Sequence, residues 1–242
     1  MCLAKLDEHG ADVVGGTEVA IPYEDNLSSR LVSAVLSSRF GVGGNFRTVM
    51  REGPTDTATA GVYRREVFER IGLFDERLVR NQDNEFNSRL RAAGGQAWTT
   101  TEACLYYYSR ATLRTLLRQN FRNGLYGMLA WRLNPASFTV RHAVPLAFVL
   151  FLALGAALSL VHPVLCWAYL AGLGLYAILD VLASIQHGLR SSDAITGMLC
   201  VLAFPLLHIF YGLGTLTGIV RFGLGRIAGP EPEMLPPLSA DG

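Results

Sequence analysis

The sequence predicts an α/β domain followed by an α-helical membrane domain, and three observations carry that expectation. Half of the 242 residues are hydrophobic, more than an ordinary soluble domain needs, and the excess is unevenly spread. Residues 1–142 hold 18 basic and 15 acidic side chains, whereas only three arginines and five acids follow His142. From Ala143 to Leu179 there is no Asp, Glu, Lys or Arg, a run long enough for nearly two bilayer crossings. The boundaries read as 1–108 for the α/β part, 109–142 for basic amphipathic helices, 143–228 for transmembrane helices and 229–242 for a disordered tail. A net charge of +1 argues against a nucleic-acid binder. Cys2, Cys104, Cys166 and Cys200 show no zinc or redox spacing and read as packing residues, which fits a reducing compartment for the polar part. Met1–Gly10 is short and charged, unlike a cleavable signal peptide.

Met1–Glu8 reads as the end of a helix. Ala11–Val14 reads as a buried strand stopped by Gly15-Gly16, with Glu18–Ile21 continuing extended. Asp25–Ser38 is amphipathic, with Leu27, Leu31, Val35 and Leu36 on one side. Phe40–Arg47 is glycine-rich, and Gly43-Gly44 permit close approach to the backbone. Thr57–Tyr63 is strand-like. Arg64–Ile71 carries Val67, Phe68 and Ile71 at helical spacing, and Gly72 breaks it. A helix follows from Asn81, a good N-cap residue, to Gly94-Gly95. Gln96–Tyr108 is a strand ending in three tyrosines, which suit a membrane interface.

Ala111–Trp131 is a helix with leucines on one side and Arg110, Arg114, Arg118 and Arg122 four apart on another. No acid occurs between Ser109 and His142, so this reads as an interfacial helix with its guanidinium face toward phosphates. Ala143–Val161 and Pro163–Ala183 are two spans, and Gln186–Asp193 a polar loop with Arg190. Ala194–Val220 is a third segment, broken by Pro205, either a tilted span or a re-entrant one. Arginines between 110 and 141 place the polar domain in the cytoplasm. A third complete crossing puts Arg221 and Arg226 outside, against that rule. Asp180 lies close enough to the interface to snorkel and reads as structural, and His208 is the other polar group within a span.

The stretch richest in candidate chemistry is Asp56–Gly95. Asp83 and Glu85 fall in the first turn of its second helix, where the dipole favours carboxylates. Glu85 and Arg89 are four apart and can pair on a solvated face. From these facts alone both acids read as structural.

The longer string changes that reading. GADVVGG (Gly10–Gly16), FGVGGNFR (Phe40–Arg47), Asp56–Gly95 and RQNFRNG (Arg118–Gly124) together resemble the second half of a family 2, GT-A fold glycosyltransferase, membrane-anchored and of the exopolysaccharide type. The resemblance implies that residues 1–108 are the C-terminal part of a GT-A domain. It implies inverting transfer of a sugar from a nucleotide-sugar donor to a lipid-linked or polysaccharide acceptor at the bacterial inner membrane. It makes Asp83 the general base, although Gln82 stands where the family has a paired acid. Glu85, Gly43, Gly44, Arg118 and Gln119 then become acceptor- or substrate-binding candidates. Mg²⁺ or Mn²⁺ is expected from the family, yet no Asp-x-Asp to hold it occurs in the chain. The sequence therefore also predicts a chain lacking an N-terminal nucleotide-binding half. The alternative is a non-catalytic membrane protein that binds a lipid or a partner subunit.

Overall fold

The computed structural model describes residues 1–43 and 51–223. Gly44 and the tail from Pro230 lie outside them. The polar part is a four-stranded sheet with helices. The sheet consists of β1 (Val13–Ile21), β2 (Gly53–Pro54), β3 (Thr59–Tyr63) and β4 (Ala97–Tyr108), in the order β2-β4-β1-β3. β1 runs parallel to β4 and antiparallel to β3, and β2 pairs antiparallel with the start of β4.

β1 does not stop at its glycine pair. It continues to Ile21 because Gly15 and Gly16 let neighbouring backbone close in on both sides. A Cβ on Gly15 would lie 2.7 Å from the Thr59 carbonyl oxygen, and one on Gly16 2.4 Å from that of Ala103. The second approach comes from an irregularity in β4, where the partner of Gly16 is Thr100 and that of Thr17 is Cys104.

α1 (Cys2–His9) precedes the sheet, and α2 (Leu27–Leu36) follows β1. Asn26 caps α2 by accepting the Ser29 N–H at 2.9 Å. Leu31, Val32 and Val35 are buried, while Leu27, expected on the same face, is exposed. α3 (Arg39–Val42) is a single turn. α4 (Arg65–Ile71) and α5 (Gln82–Ala92) pack Val67, Phe86 and Leu90 on Val13 and Ala97. Asn81 occupies the N-cap position of α5, but its side chain caps nothing there. Its backbone is left-handed, φ 61°, a conformation that asparagine tolerates better than most residues, and the amide is spent on a tertiary contact.

α6 (Leu113–Leu133) carries the arginine row and opens with a reciprocal capping box between Thr112 and Thr115. A 3-10 turn, Pro135–Ser137, leads into α7 (Val140–Ser159), α8 (Pro163–Ser191) and α9 (Ala194–Gly218), the last ending in a π-helical turn, Ile219–Gly223. By length and composition these three helices can each cross a membrane. α8 runs through the polar stretch expected to be a loop and ends only at Ser192, whose φ is 54°. Asp180 does not snorkel. It is 3% exposed, because α9 covers that face of α8.

Candidate active site

Asp83 is the second residue of α5, and its position follows from how that helix is held. Two loop residues ahead of α5 dock on one asparagine of α6. The Arg80 guanidinium donates to Asn123 Oδ1 at 3.2 Å, and Asn81 Nδ2 donates to the Asn123 carbonyl at 3.1 Å. Farther along, Asn84 Nδ2 donates to the Ser137 carbonyl at 2.7 Å, and Asn134 Nδ2 donates to Ser88 Oγ at 2.7 Å. α5 is thus clamped at two places by the segment that leads into the apolar helices.

The clamp leaves the Asp83 side chain exposed. Its Oδ1 accepts the Asn84 N–H at 2.8 Å, an interaction the helix N-terminus favours. Directly behind it, Asn87 is fully buried. The Asn87 amide donates to the Asp83 carbonyl at 2.8 Å and to Tyr63 Oη at 3.1 Å. Burial pushes the Tyr63 hydroxyl above its ordinary range, and the nearby Asp83 charge adds to the rise. Tyr63 therefore stays protonated beside the carboxylate.

Glu85 points elsewhere. It is 3% exposed, so its pairing with Arg89 is not on a solvated face. Arg89 Nε donates to Glu85 Oε1 at 2.8 Å, and Nη2 to Oε2 at 3.0 Å. Asn134 adds a third donor at 3.3 Å. Arg89 also donates to the carbonyls of Ile71 and Leu73, closing the loop between α4 and α5. Asp83 and Glu85 are two residues apart with opposite environments.

Gly43 ends α3 with φ 74°, and a Cβ there would meet nothing within 4 Å. The short helix before it is held from below, where His208 on α9 bonds the Phe40 carbonyl through Nε2 at 2.9 Å. The next contact toward α6 is Asn120 Nδ2, which donates to the Leu207 carbonyl at 2.7 Å. Gln119 adjoins that asparagine, and its Oε1 accepts from Arg110 Nε at 2.7 Å. Arg118 is exposed. Asn123, which holds the loop ahead of Asp83, lies one turn beyond Gln119, about 6 Å along the axis. α6 thus holds the loop ahead of Asp83 and α9 the turn before Gly43. Arg118 and Gln119 lie on α6 just ahead of its contact with α9, and Glu85 is turned inward.

The chain is 28% identical over 157 residues to the succinoglycan biosynthesis protein ExoA of Rhizobium meliloti (strain 1021). The match takes in 65% of this chain and 46% of that protein, so the chain spans about half the length of the curated relative it matches. No protein-family model matches the chain.

Among the described residues, no three His, Cys, Asp or Glu side chains converge where they could hold a metal ion. Asp83 and Glu85, the nearest thing to an Asp-x-Asp, are divided by the burial of Glu85 on Arg89. The described residues do not offer a ligand set for the divalent metal that the resemblance implies.

Sequence reading missed Tyr63, Asn87, Asn123 and Asn134. A signal was available for Asn87. Asparagine inside a helix competes with the backbone for hydrogen bonds, so one placed four residues after a candidate acid calls for a tertiary reason.

Proposed function

We propose that this chain carries the acceptor-side, base-bearing part of a membrane-bound glycosyltransferase in exopolysaccharide biosynthesis. The likeness to a succinoglycan biosynthesis protein over 157 residues is the observation that carries this reading, and the Asp56–Gly95 resemblance points the same way.

Asp83 takes the proton of an acceptor hydroxyl as that oxygen attacks the anomeric carbon. The new glycosidic bond forms on one face while the bond to the nucleoside diphosphate breaks on the other, which inverts the configuration. The Asn84 N–H holds one carboxylate oxygen, and the other is left to accept the proton. A carboxylate suffices because the hydroxyl becomes acidic only as the bond forms. Asn87 and Tyr63 fix the helix turn that presents Asp83, and Glu85 with Arg89 fixes the loop beside it. Arg118, exposed on α6, is suited to a phosphate of a lipid-linked acceptor or of the donor, since guanidinium binds phosphate in a bidentate manner. The described residues offer no ligand set for a metal, and no step here uses one. With Arg110–Arg141 on the cytoplasmic side of a bacterial inner membrane, the reaction faces the cytoplasm.

That no metal-ligand cluster occurs among the described residues favours one other reading, a non-catalytic membrane protein that binds a lipid or a partner subunit. Calorimetric titration of the solubilised chain with UDP-sugars and Mg²⁺ or Mn²⁺ separates the two. Saturable heat, or label from the same donor entering the lipid fraction of membranes that supply whatever else the reaction requires and lost in Asp83→Asn, supports the enzyme. A folded chain that gives no transfer in such membranes supports the non-catalytic protein.

A further inference from the structure

α9 has the length and apolarity of a third membrane span, yet its contacts do not suit a crossing. One-third of the residues in its most apolar stretch are buried, 33% against 6% in each of α7 and α8. Besides α7 and α8, what buries them is α6 and α2. Cys200, Ala203, Phe204 and Leu207 sit in one core with Leu31, Val32 and Val35 of α2.

Its main neighbour is α6, and the two run side by side in the same direction. Asn120 meets Leu207. Gly124 lies against Tyr211 and Thr215, Gly214 against Phe121, and Gly218 against Leu125 and Met128. The ring of Tyr126 is 6.2 Å from that of Phe222. Partners advance together along both helices, so α9 holds the depth of α6 over this whole length. α6 carries Arg114, Arg118, Arg122 and Arg132 and cannot lie across hydrocarbon.

The contacts of α9 with the α7–α8 hairpin agree. They fall on Pro145, Phe148 and Val149 in the first half of α7, and on Tyr176, Ser184 and Gly188 from the middle of α8 toward its end. Both sets belong to the half of the hairpin nearest the sheet. Pro205 lies inside α9, where proline permits a bend. The large exposed residues of α9 and its terminal π-turn, Ile195, Met198, Leu202, Leu206, Leu213, Leu216 and Val220, are all apolar and lie on one side, as an in-plane helix requires.

We propose that α9 does not cross the membrane but lies in the bilayer interface beside α6, its apolar stripe toward the acyl chains and the α6 arginines toward anionic headgroups. Among the described residues the crossing segments are then α7 and α8, and Arg190 and Arg221 stay on the side of the sheet, as the distribution of positive charge favours. This inference rests on the hairpin spanning the membrane and does not depend on the reaction proposed above.

The test uses the full chain in a bacterial membrane, with alkaline phosphatase or a green fluorescent protein fused after Gly242. A fluorescent fusion with a silent phosphatase is expected, and an active phosphatase overturns the proposal. A second measurement guards against a fusion that misfolds. The chain is reconstituted in phosphatidylethanolamine–phosphatidylglycerol vesicles with a fluorophore at Met198→Cys or Val220→Cys, and spin-labelled lipids report depth. Both positions should be quenched most by the shallow label in the same leaflet as the sheet. Quenching of position 220 from the opposite leaflet overturns the in-plane arrangement.

Discussion

The two acids of α5 give a direct test, because their surroundings predict opposite consequences for the same kind of change. Glu85 is buried, and both of its oxygens are engaged by Arg89, with Asn134 adding a contact. Removing one partner of a fully buried pair costs about 3–5 kcal/mol. Here the Arg89 side chain remains 27% exposed and keeps two backbone acceptors, so Glu85→Ala should cost less, about 2–4 kcal/mol, near the upper range for hydrogen bonds to charged groups. In a chain of this length that lowers Tm by roughly 4–16 °C. Asp83→Asn keeps an oxygen for the Asn84 N–H and loses only a charge at a helix N-terminus, about 0.3–1 kcal/mol. Its Tm should move by no more than about 4 °C, while transfer falls by about 10²–10⁴-fold if Asp83 is the base. Thermal unfolding in detergent, together with label transfer from a nucleotide-sugar in membranes that also supply whatever else the reaction requires, reads both quantities. A large drop in Tm for Asp83→Asn with transfer retained, or an unchanged Tm for Glu85→Ala, would refute the assignment of roles.

Other predictions follow from single contacts. Gly124→Val puts a branched side chain where even a Cβ would lie 2.2 Å from the Tyr211 carbonyl oxygen, so it should destabilise by about 1–3 kcal/mol. Gly127→Ala, where the nearest atom is 3.7 Å away, should be neutral or slightly stabilising in the same melt. Asn87→Leu removes donors to Tyr63 and to the Asp83 carbonyl and strands a buried hydroxyl, costing about 1–3 kcal/mol. Its transfer rate should fall beyond what the loss of folded protein explains. At the sheet edge, Lys5 bridges Glu8, Glu52 and Glu102 at 3.2–3.3 Å. A hydrogen bond from Lys5 holds Glu52 below its ordinary value of 4.5. The resulting stability is present above pH 4.5 and lost as pH falls through the lower folded value. Lys5→Met should therefore lower Tm slightly at neutral pH and flatten the acid limb of a Tm–pH curve, the two proteins converging once Glu52 is protonated in both.

The elements with strong local signals were legible in the sequence. The string Val67, Phe68, Ile71 and the glycines that follow α4 and α5 placed those helices, and the charge-free run from Ala143 placed the hairpin. Local pattern failed where a distant partner decides the outcome. Gly15-Gly16 read as a strand end because nothing nearby reveals that Thr59 and Ala103 close in on it. Asn81 read as a cap because its true acceptor is forty-two residues away, on Asn123. Glu85 and Arg89 were correctly paired, but spacing along a helix cannot tell which face the rest of the molecule covers. Of the candidate site, the place of Asp83 in the first turn of α5 was legible, whereas the asparagine clamps around it depend on the return of α6 against α5.

The pairing of β1 with β4 also sets the order in which this chain can fold. Ile21 and Ala97 bound everything that must be synthesised before the central parallel pair can form, and long-range parallel pairing is intrinsically slow. At about 5–20 residues per second, β1 waits roughly 4–15 s for its neighbour. α7 begins only at Val140, after β4 and all of α6 have been made. The four described strands are therefore all made before the first apolar helix is synthesised, and the growing chain can bury β1 before α7 and α8 are drawn into lipid.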